Sequence, residues 1–286
     1  NKLKQTKGLY IRLADNSYFK KQYFDTLEAI RKDYLLPTLP GTSDIYGYVQ
    51  TYMITSFNKW NPHPAFQHAS TTTLSRFSKL NQQHLEHFET APDNIFYRLL
   101  PLNINLHFPT MYDSLNLPII LNNYHLIGEY KDYLIFRKNS TMTDIKLDEN
   151  LFISSYSNFN TEIDISQYKT PIFIKLDINL SSFGNLLNFL FKITPVYIKI
   201  ELDNNKTYIY RLNPLICDSG FVLSPLITSN FELKKFIQSG KDLNFENKVK
   251  SFSLILSIDV MKNFYLSRFT PLLYKDTFSY SLFALD

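Results

Sequence analysis

The spacing of hydrophobic positions changes near the middle of the chain. Before residue 140, several segments repeat apolar residues every three or four positions, which is typical of helices with one buried face. Beyond residue 150 the period becomes two: in "PIFIKLDINL", Ile172, Ile174, Leu176, Ile178 and Leu180 alternate with other residues. The change predicts an α+β protein, with a small α/β layer domain followed by an antiparallel, jelly-roll-like β-sandwich.

Three helices are predicted in the first half. The first is capped by Asn16 or Ser17 and ends before Pro37, with an apolar face formed by Phe19, Tyr23, Leu27 and Ile30. The second covers residues 73–88, with an apolar face formed by Leu74, Phe77, Leu80, Leu85 and Phe88. The third covers residues 111–124, where Pro118 is tolerable only near the first turn.

The segments between these helices predict strands and turns. Residues 36–44 contain two prolines and Gly41, which favours a stiff connector, whereas residues 45–57 fit either a helix or a strand. Residues 91–102 predict a turn and a short strand. Residues 125–138 predict a hairpin that turns at positions 130–132.

The second half predicts mainly strands. A hairpin is expected over residues 196–212 with its turn at 203–205, and further strands at 249–258 and 272–285. One helix, 230–238, begins after the capping box formed by Ser229 and Glu232. The polar stretch 139–150 is the expected junction, so we predict a lead-in segment and helix (1–35), an α/β domain (36–140) and a sandwich domain (150–286).

Composition narrows the class of protein. The 286 residues carry a net charge of +4, too little for a concentrated basic field, so nucleic acid is not an expected partner. The 20 Tyr and 24 Phe favour sheet structure, and a single cysteine excludes an intramolecular disulfide or a multi-cysteine zinc site. No apolar run reaches the roughly 18–20 residues of a membrane span. The basic start at Asn1, without an initiator Met, suggests that further segments lie upstream.

The stretch "NPHPAFQHASTTT" after Trp60 is the main candidate for ligand binding. Trp60 could stack on a sugar ring while polar side chains bind its hydroxyls. The alternative is a proline-stiffened scaffold whose hydroxyls cap the next helix. The candidate binding residues are Trp60, His63, Gln67, His68, Ser70 and Thr71.

Other residues are weaker candidates for catalysis or metal binding. His63 and His68 are five residues apart, so they lack the spacing of a helical metal pair; His84 and His87 favour a solvated helix face. Cys217 lies beside Asp218, which would raise its pKa and make it a poor nucleophile. His107 and His125 are isolated, and no nucleophile elbow, phosphate loop or dinucleotide fingerprint occurs. We therefore assign no catalytic residue, metal or cofactor.

Several stretches together resemble a group of bacterial polytopic inner-membrane proteins whose layout is similar to glycosyltransferases that use lipid-linked sugars. The similarity is to their extracytoplasmic C-terminal region and covers most of residues 20–285. The stretches that carry it are "LPTLPGTSDIYGYVQ", "WNPHPAFQHASTTT", "NQQH", "APDNIFYR", "FPTMYDSLNLPIILNNYHLIGEYKDYLIFRK", "SSFGNLLNFLFK", "YIYRLNP" and "GFVLSPLI".

The resemblance implies an accessory region without catalysis. In such transferases the acidic catalytic residues are expected near the first membrane helices, which this chain does not contain. His63 stands where the group has an arginine, and His68 and Ala69 stand where it has Ser and Tyr. Such exchanges in a catalytic loop would be hard to tolerate, which favours the scaffold interpretation.

Three functional hypotheses remain at this point. The leading one is a soluble periplasmic portion of an inner-membrane envelope protein that binds glycan or lipid-linked sugar and meets the membrane through upstream segments. The second is a stand-alone carbohydrate hydrolase with a sandwich binding module, using carboxylates such as Asp44 and Asp93. The third is a structural domain whose exposed aromatic residues contact a partner protein.

Overall fold

The protein has the predicted α+β architecture. The computed structural model describes residues 16–47, 49–65, 75–99, 106–112, 114–143, 150–190, 195–240, 247–256 and 270–285. Within these ranges, one five-stranded sheet and two four-stranded sheets form the framework.

The first sheet is built from residues 42–138. Its strands are β1 (Thr42–Tyr46), β2 (Lys59–Trp60), β3 (Asn94–Tyr97), β4 (Tyr124–Tyr130) and β5 (Tyr133–Lys138), in the order β2-β1-β3-β5-β4. The first three strands run parallel, and β5 and β4 pair antiparallel at the other side of the sheet. The helices of this region are α1 (Asn16–Asp33), α2 (Gln50–Thr55), α3 (Ser75–Glu86) and α4 (Asn116–Asn123).

Helices cover both faces of this sheet. Met53 of α2 packs with Ile45 and Phe96 on one face. Leu85 of α3 and the apolar residues of α4 pack on the other face. The connections from β1 to β2 and from β2 to β3 therefore run along opposite faces. Such an arrangement opens a crevice at the carboxyl ends of β1 and β3.

The sandwich is built from two antiparallel sheets. The first contains β7 (Ile163–Asp164), β9 (Val196–Leu202), β10 (Thr207–Leu212) and β12 (Val249–Leu256), in the order β10-β9-β12-β7. The second contains β6 (Leu151–Asn158), β8 (Ile172–Asp177), β11 (Phe221–Ser224) and β13 (Thr277–Ala284), in the order β11-β8-β13-β6. The remaining helices are α5 (Ser182–Leu190), α6 (Asn230–Gln238) and α7 (Thr270–Leu273), with a short 3-10 turn at Cys217–Ser219.

The second sandwich sheet is covered on both faces. Ile174 and Leu282 face the sandwich core, whereas Phe173, Val222 and Phe283 pack into the core of the α/β layer. Phe173 is therefore fully buried, although the alternation of β8 predicted only one buried face. The second face is buried because the α/β region packs directly against it.

Most predicted elements occur with shifted ends. The connector expected over 36–44 already contains the start of β1, and the undecided stretch 45–57 supplies the rest of β1 and all of α2. The Ser229 N-cap is confirmed, because its hydroxyl accepts the Glu232 amide at 3.2 Å, whereas the Glu232 carboxylate reaches one residue further than in a capping box and accepts the Thr228 amide at 2.6 Å. The hairpins at 124–138 and 196–212 are also confirmed.

The expected apolar face of α3 is partly wrong. Leu80 and Phe88 are exposed, while Ser78 and Asn81 are buried together with Leu85. Asn81 turns inward because its amide binds the backbone of Ala65, so a polar residue replaces an apolar one on the buried face. In the described part of the chain, no helix combines the length and apolar character needed to cross a membrane.

Candidate functional site

A buried carboxylate organises the carboxyl half of β1. Asp44 is fully buried and its two oxygens accept four hydrogen bonds. Oδ1 accepts the Ile45 amide at 2.8 Å and the Trp60 indole N–H at 3.0 Å. Oδ2 accepts the His63 amide at 3.0 Å and lies 2.7 Å from His63 Nδ1. Asp44 thus joins β1 to the residues that follow β2.

The loop at 61–65 is held at both ends. The Asn61 amide donates to the Ser43 carbonyl at 2.9 Å on the β1 side. Asn81 of α3 accepts the Ala65 amide at 2.8 Å and donates to the Ala65 carbonyl at 3.3 Å. Because backbone and side chains share this anchoring, residues 61–65 form a rigid bridge between the sheet and α3.

His63 is oriented like a general base. Because the Asp44 carboxylate oxygen accepts both the His63 amide and Nδ1–H, the proton of the neutral imidazole lies on Nδ1 and Nε2 is left as the proton acceptor. The ring also stacks on Tyr46, with centroids 4.4 Å apart and an interplanar angle of 15°. This is the arrangement of a histidine and its orienting acid.

His84 lies close to this pair, and the expectation of a solvated face is wrong for it. Its Nε2 is buried and has no hydrogen-bond partner in the described ranges. Burial lowers the pKa of His84 below 6.5; nearby Asp44 opposes this shift, and nearby His63 adds to it. A neutral imidazole therefore lies beside the Asp44–His63 pair, while His87 is exposed just beyond the helix end.

The six predicted binding residues are only partly described. Trp60 is partly exposed and its indole N–H is bound by Asp44. His63 is buried, 3% exposed, so the site it forms faces the protein interior. Gln67, His68, Ser70 and Thr71 lie outside the described residues. The sequence did not indicate the roles of Tyr46 and Asn81, and it indicated Asp44 only as one of two carboxylates in the hydrolase hypothesis.

Asp93, the second carboxylate of the hydrolase hypothesis, holds a turn. Its Oδ2 accepts the Thr42 amide at 2.8 Å and the Thr42 hydroxyl at 3.0 Å. Gly41 has a φ of +84°, and a Cβ there would overlap Asp93. Burial acts to raise the pKa of Asp93, but the Thr42 hydrogen bonds and the Lys138 charge outweigh it and lower the pKa. The environment of Asp93 is therefore that of a structural carboxylate.

A separate cleft of about 400 Å³ lies where β3 ends, beside the turn between β4 and β5. Arg98 follows β3, and its amide donates to the carbonyl of Tyr46 at the end of β1. The turn between β4 and β5 and the start of α6 complete the walls. The side chains that line the cleft include Arg98, Glu129, Asp132, Tyr133, Asn230 and Phe231.

Direct contacts hold the polar groups of the cleft in place. The Arg98 guanidinium lies 3.3 Å from the Asp132 carboxylate. The Asn230 amide donates to the Asp132 carbonyl at 2.6 Å and accepts the Leu99 amide at 2.9 Å. Burial raises the pKa of Tyr133, while the Arg98 charge opposes the shift. The cleft therefore offers a guanidinium, carboxylates and an amide at fixed positions.

The other sequence candidates lie away from these sites. Cys217 is buried, and burial first, then Asp218, raises the pKa of its thiol, which agrees with an unreactive cysteine. His125 binds Asn139 at the surface, and His107 contacts the Tyr112 ring. Among the residues that the structure describes, no group of three or more His, Cys, Asp or Glu could hold a metal ion.

Comparison of the chain with protein-family models, with curated proteins and with solved structures found no significant match.

Proposed function

We propose that this chain is a non-catalytic binding region of an envelope protein, and that the cleft at Arg98 binds a glycan or the sugar of a lipid-linked glycan. The observation that carries the proposal is the position of this polar cleft at the carboxyl end of β3, where the Arg98 amide binds the Tyr46 carbonyl at the end of β1. Ligands of open α/β sheets bind where the connections diverge to opposite faces.

The chemistry of the lining suits a sugar. A guanidinium and an amide present several hydrogen-bonding atoms in one plane and can bind neighbouring hydroxyls. Phe231 is 65% exposed at the rim and supplies an apolar surface. A few fixed polar groups beside an aromatic surface are typical of small-molecule sites. Arg98 could equally contact the phosphate of a lipid-linked sugar.

The carboxylates in the cleft support binding without hydrolysis. Glu129 and Asp132 are each 58% exposed at the side chain, and each is paired with a cation. Glycoside hydrolysis needs two carboxylates in different environments, one of which stays protonated. Glu129 and Asp132 occupy similar solvated environments, so neither is suited to act as the acid.

Titration of the protein with envelope glycans, followed by NMR or calorimetry, tests the proposal. Binding should weaken about tenfold or more in Arg98→Ala, which removes a charged hydrogen-bonding group. Lys206→Ala, in the turn between β9 and β10, removes an exposed cation elsewhere and should bind as the unmodified chain does. No response to any envelope glycan, or equal weakening in both variants, would overturn the proposal.

The Asp44–His63 pair favours a second candidate, hydrolysis of carbohydrate or its esters. A histidine oriented by a buried acid is a general-base arrangement. In this candidate Asp93 keeps its structural role. Activity on chromogenic glycosides or esters that disappears in a folded His63→Gln variant would support it. Full inactivity of the chain on these substrates would count against it.

The cellular location is part of the proposal and depends on the resemblance to the inner-membrane proteins. In the full-length protein within bacterial cells, protease added to spheroplasts should reach this region if it faces the periplasm. A region protected until the inner membrane is lysed would contradict the location, while the binding experiment would still stand.

A further inference from the structure

In the part of the chain that the structure describes, β6 is an edge strand without the usual blocking residues. β6 pairs with β13, and no other strand in the described ranges pairs with it. Its eight residues, "LFISSYSN", include no charged residue and no proline. Natural edge strands usually carry such blocking residues, because an open row of N–H and C=O groups pairs readily with another chain.

The other sheet edges are short or covered. β2 and β7 have two residues each, and β11 is a buried strand of four residues. β4 carries Glu129, which pairs with Lys234 at 3.0 Å. At β10, the backbone of Arg211 forms an isolated β-bridge with His107, and this bridge covers one end of the edge. Among the described edges, β6 therefore combines length with a lack of protection.

Apolar side chains reach solvent along this edge. Tyr156 is 78% exposed, and Leu151 and Ile153 are 48% and 38% exposed. Ile153 is paired with Leu282, whose side chain faces the sandwich core. Ile153 therefore lies on the core side of the sheet and is still partly exposed. A neighbouring strand beside β6 would cover it.

We propose that β6 pairs antiparallel with β6 of a second copy of this chain, about a two-fold axis near Ser154 and Ser155. The pairing would join two four-stranded sheets into one sheet that continues across the axis. A two-fold interface places the same strand on both sides, so a charged strand would oppose like charges. β6 is neutral along its whole length and avoids this repulsion.

The small size of the contact favours a weak dimer. Pairing of two eight-residue strands buries less than the roughly 1,200–2,000 Å² of a stable interface. We therefore expect a reversible dimer with a Kd of about 1–100 µM.

Sedimentation equilibrium over protein concentrations from about 1 to 500 µM tests the dimer. Tyr156→Lys, which places charges near the axis, should raise Kd at least about tenfold. The control is Phe189→Lys on α5, a residue that is 87% exposed on another apolar surface. It should leave Kd unchanged. A chain that stays monomeric at the highest concentration, or a dimer lost in Phe189→Lys but kept in Tyr156→Lys, would overturn the proposal.

Cysteine cross-linking tests the position of the axis. The native chain has one cysteine, Cys217, and it is buried. Residues paired across an antiparallel axis have Cα atoms about 4.5–5.5 Å apart, within the range of a disulfide. Oxidation of Ser154→Cys or Ser155→Cys should give a covalent dimer in at least one variant. A dimer in solution that neither variant cross-links would place the interface elsewhere and refute the pairing of β6.

Discussion

Replacing Asp44 should destabilise the protein more than replacing an exposed carboxylate does. Asp44→Ala removes the acceptor of the Trp60 indole N–H and of both His63 donors. A buried donor without a partner costs about 1–3 kcal/mol. His63 is buried, whereas Trp60 is partly exposed and can recover part of its bond from water. The expected loss is about 3–6 kcal/mol, a large share of the 5–15 kcal/mol of an ordinary domain.

Equilibrium unfolding in urea measures this loss. Trp60 is the only tryptophan, so its fluorescence reports directly on the residue that Asp44 binds, and far-ultraviolet circular dichroism gives the global transition. Asp203→Asn is the control: Asp203 is 47% exposed and lies 3.7 Å from Lys248, a surface pair worth at most about 1 kcal/mol. If Asp44→Ala lowers the free energy of unfolding no more than Asp203→Asn does, the Asp44 carboxylate does not organise the loop and our account of residues 61–65 is wrong.

Three further predictions concern stability. Burial lowers the pKa of His84 below 6.5, so the unfolded chain binds this proton at a higher pH than the folded chain, and the melting temperature should decrease as the pH drops below about 6.5. His84→Gln should make the melting temperature less dependent on pH, and a pH profile that is unchanged in this variant would contradict the prediction. Gly184→Ala would drive a Cβ into the Leu273 carbonyl and should cost about 1–3 kcal/mol in urea unfolding, whereas Gly240→Ala has open space and tests only backbone strain. Ser229→Ala removes the cap of α6 and should cost about 0.5–2 kcal/mol, with Ser229→Thr retaining most of the stability.

Local sequence determined the elements whose signals lie within a few residues. The hairpin between β9 and β10 follows from Asp and Asn at its turn, where Asn205 adopts a φ of 62°. The start of α6 follows from Ser229 and Glu232, which are three residues apart and hydrogen-bonded. These contacts form between near neighbours, so their residue types predict them without knowledge of the rest of the fold.

Only the tertiary structure decided which residues form the candidate sites. Asp44 binds Trp60 and His63 because parallel pairing of β1 with β2 places residues 16 and 19 positions away against one carboxylate. The cleft joins Leu99 to Asn230, which is 131 positions away. Parallel strands and packed layers bring together distant residues whose order in the chain gives no sign of the contact. Local sequence thus determined elements such as the hairpin between β9 and β10 and the start of α6, while packing of the sheets determined which polar groups are buried and which edge is left without a neighbouring strand in the described ranges.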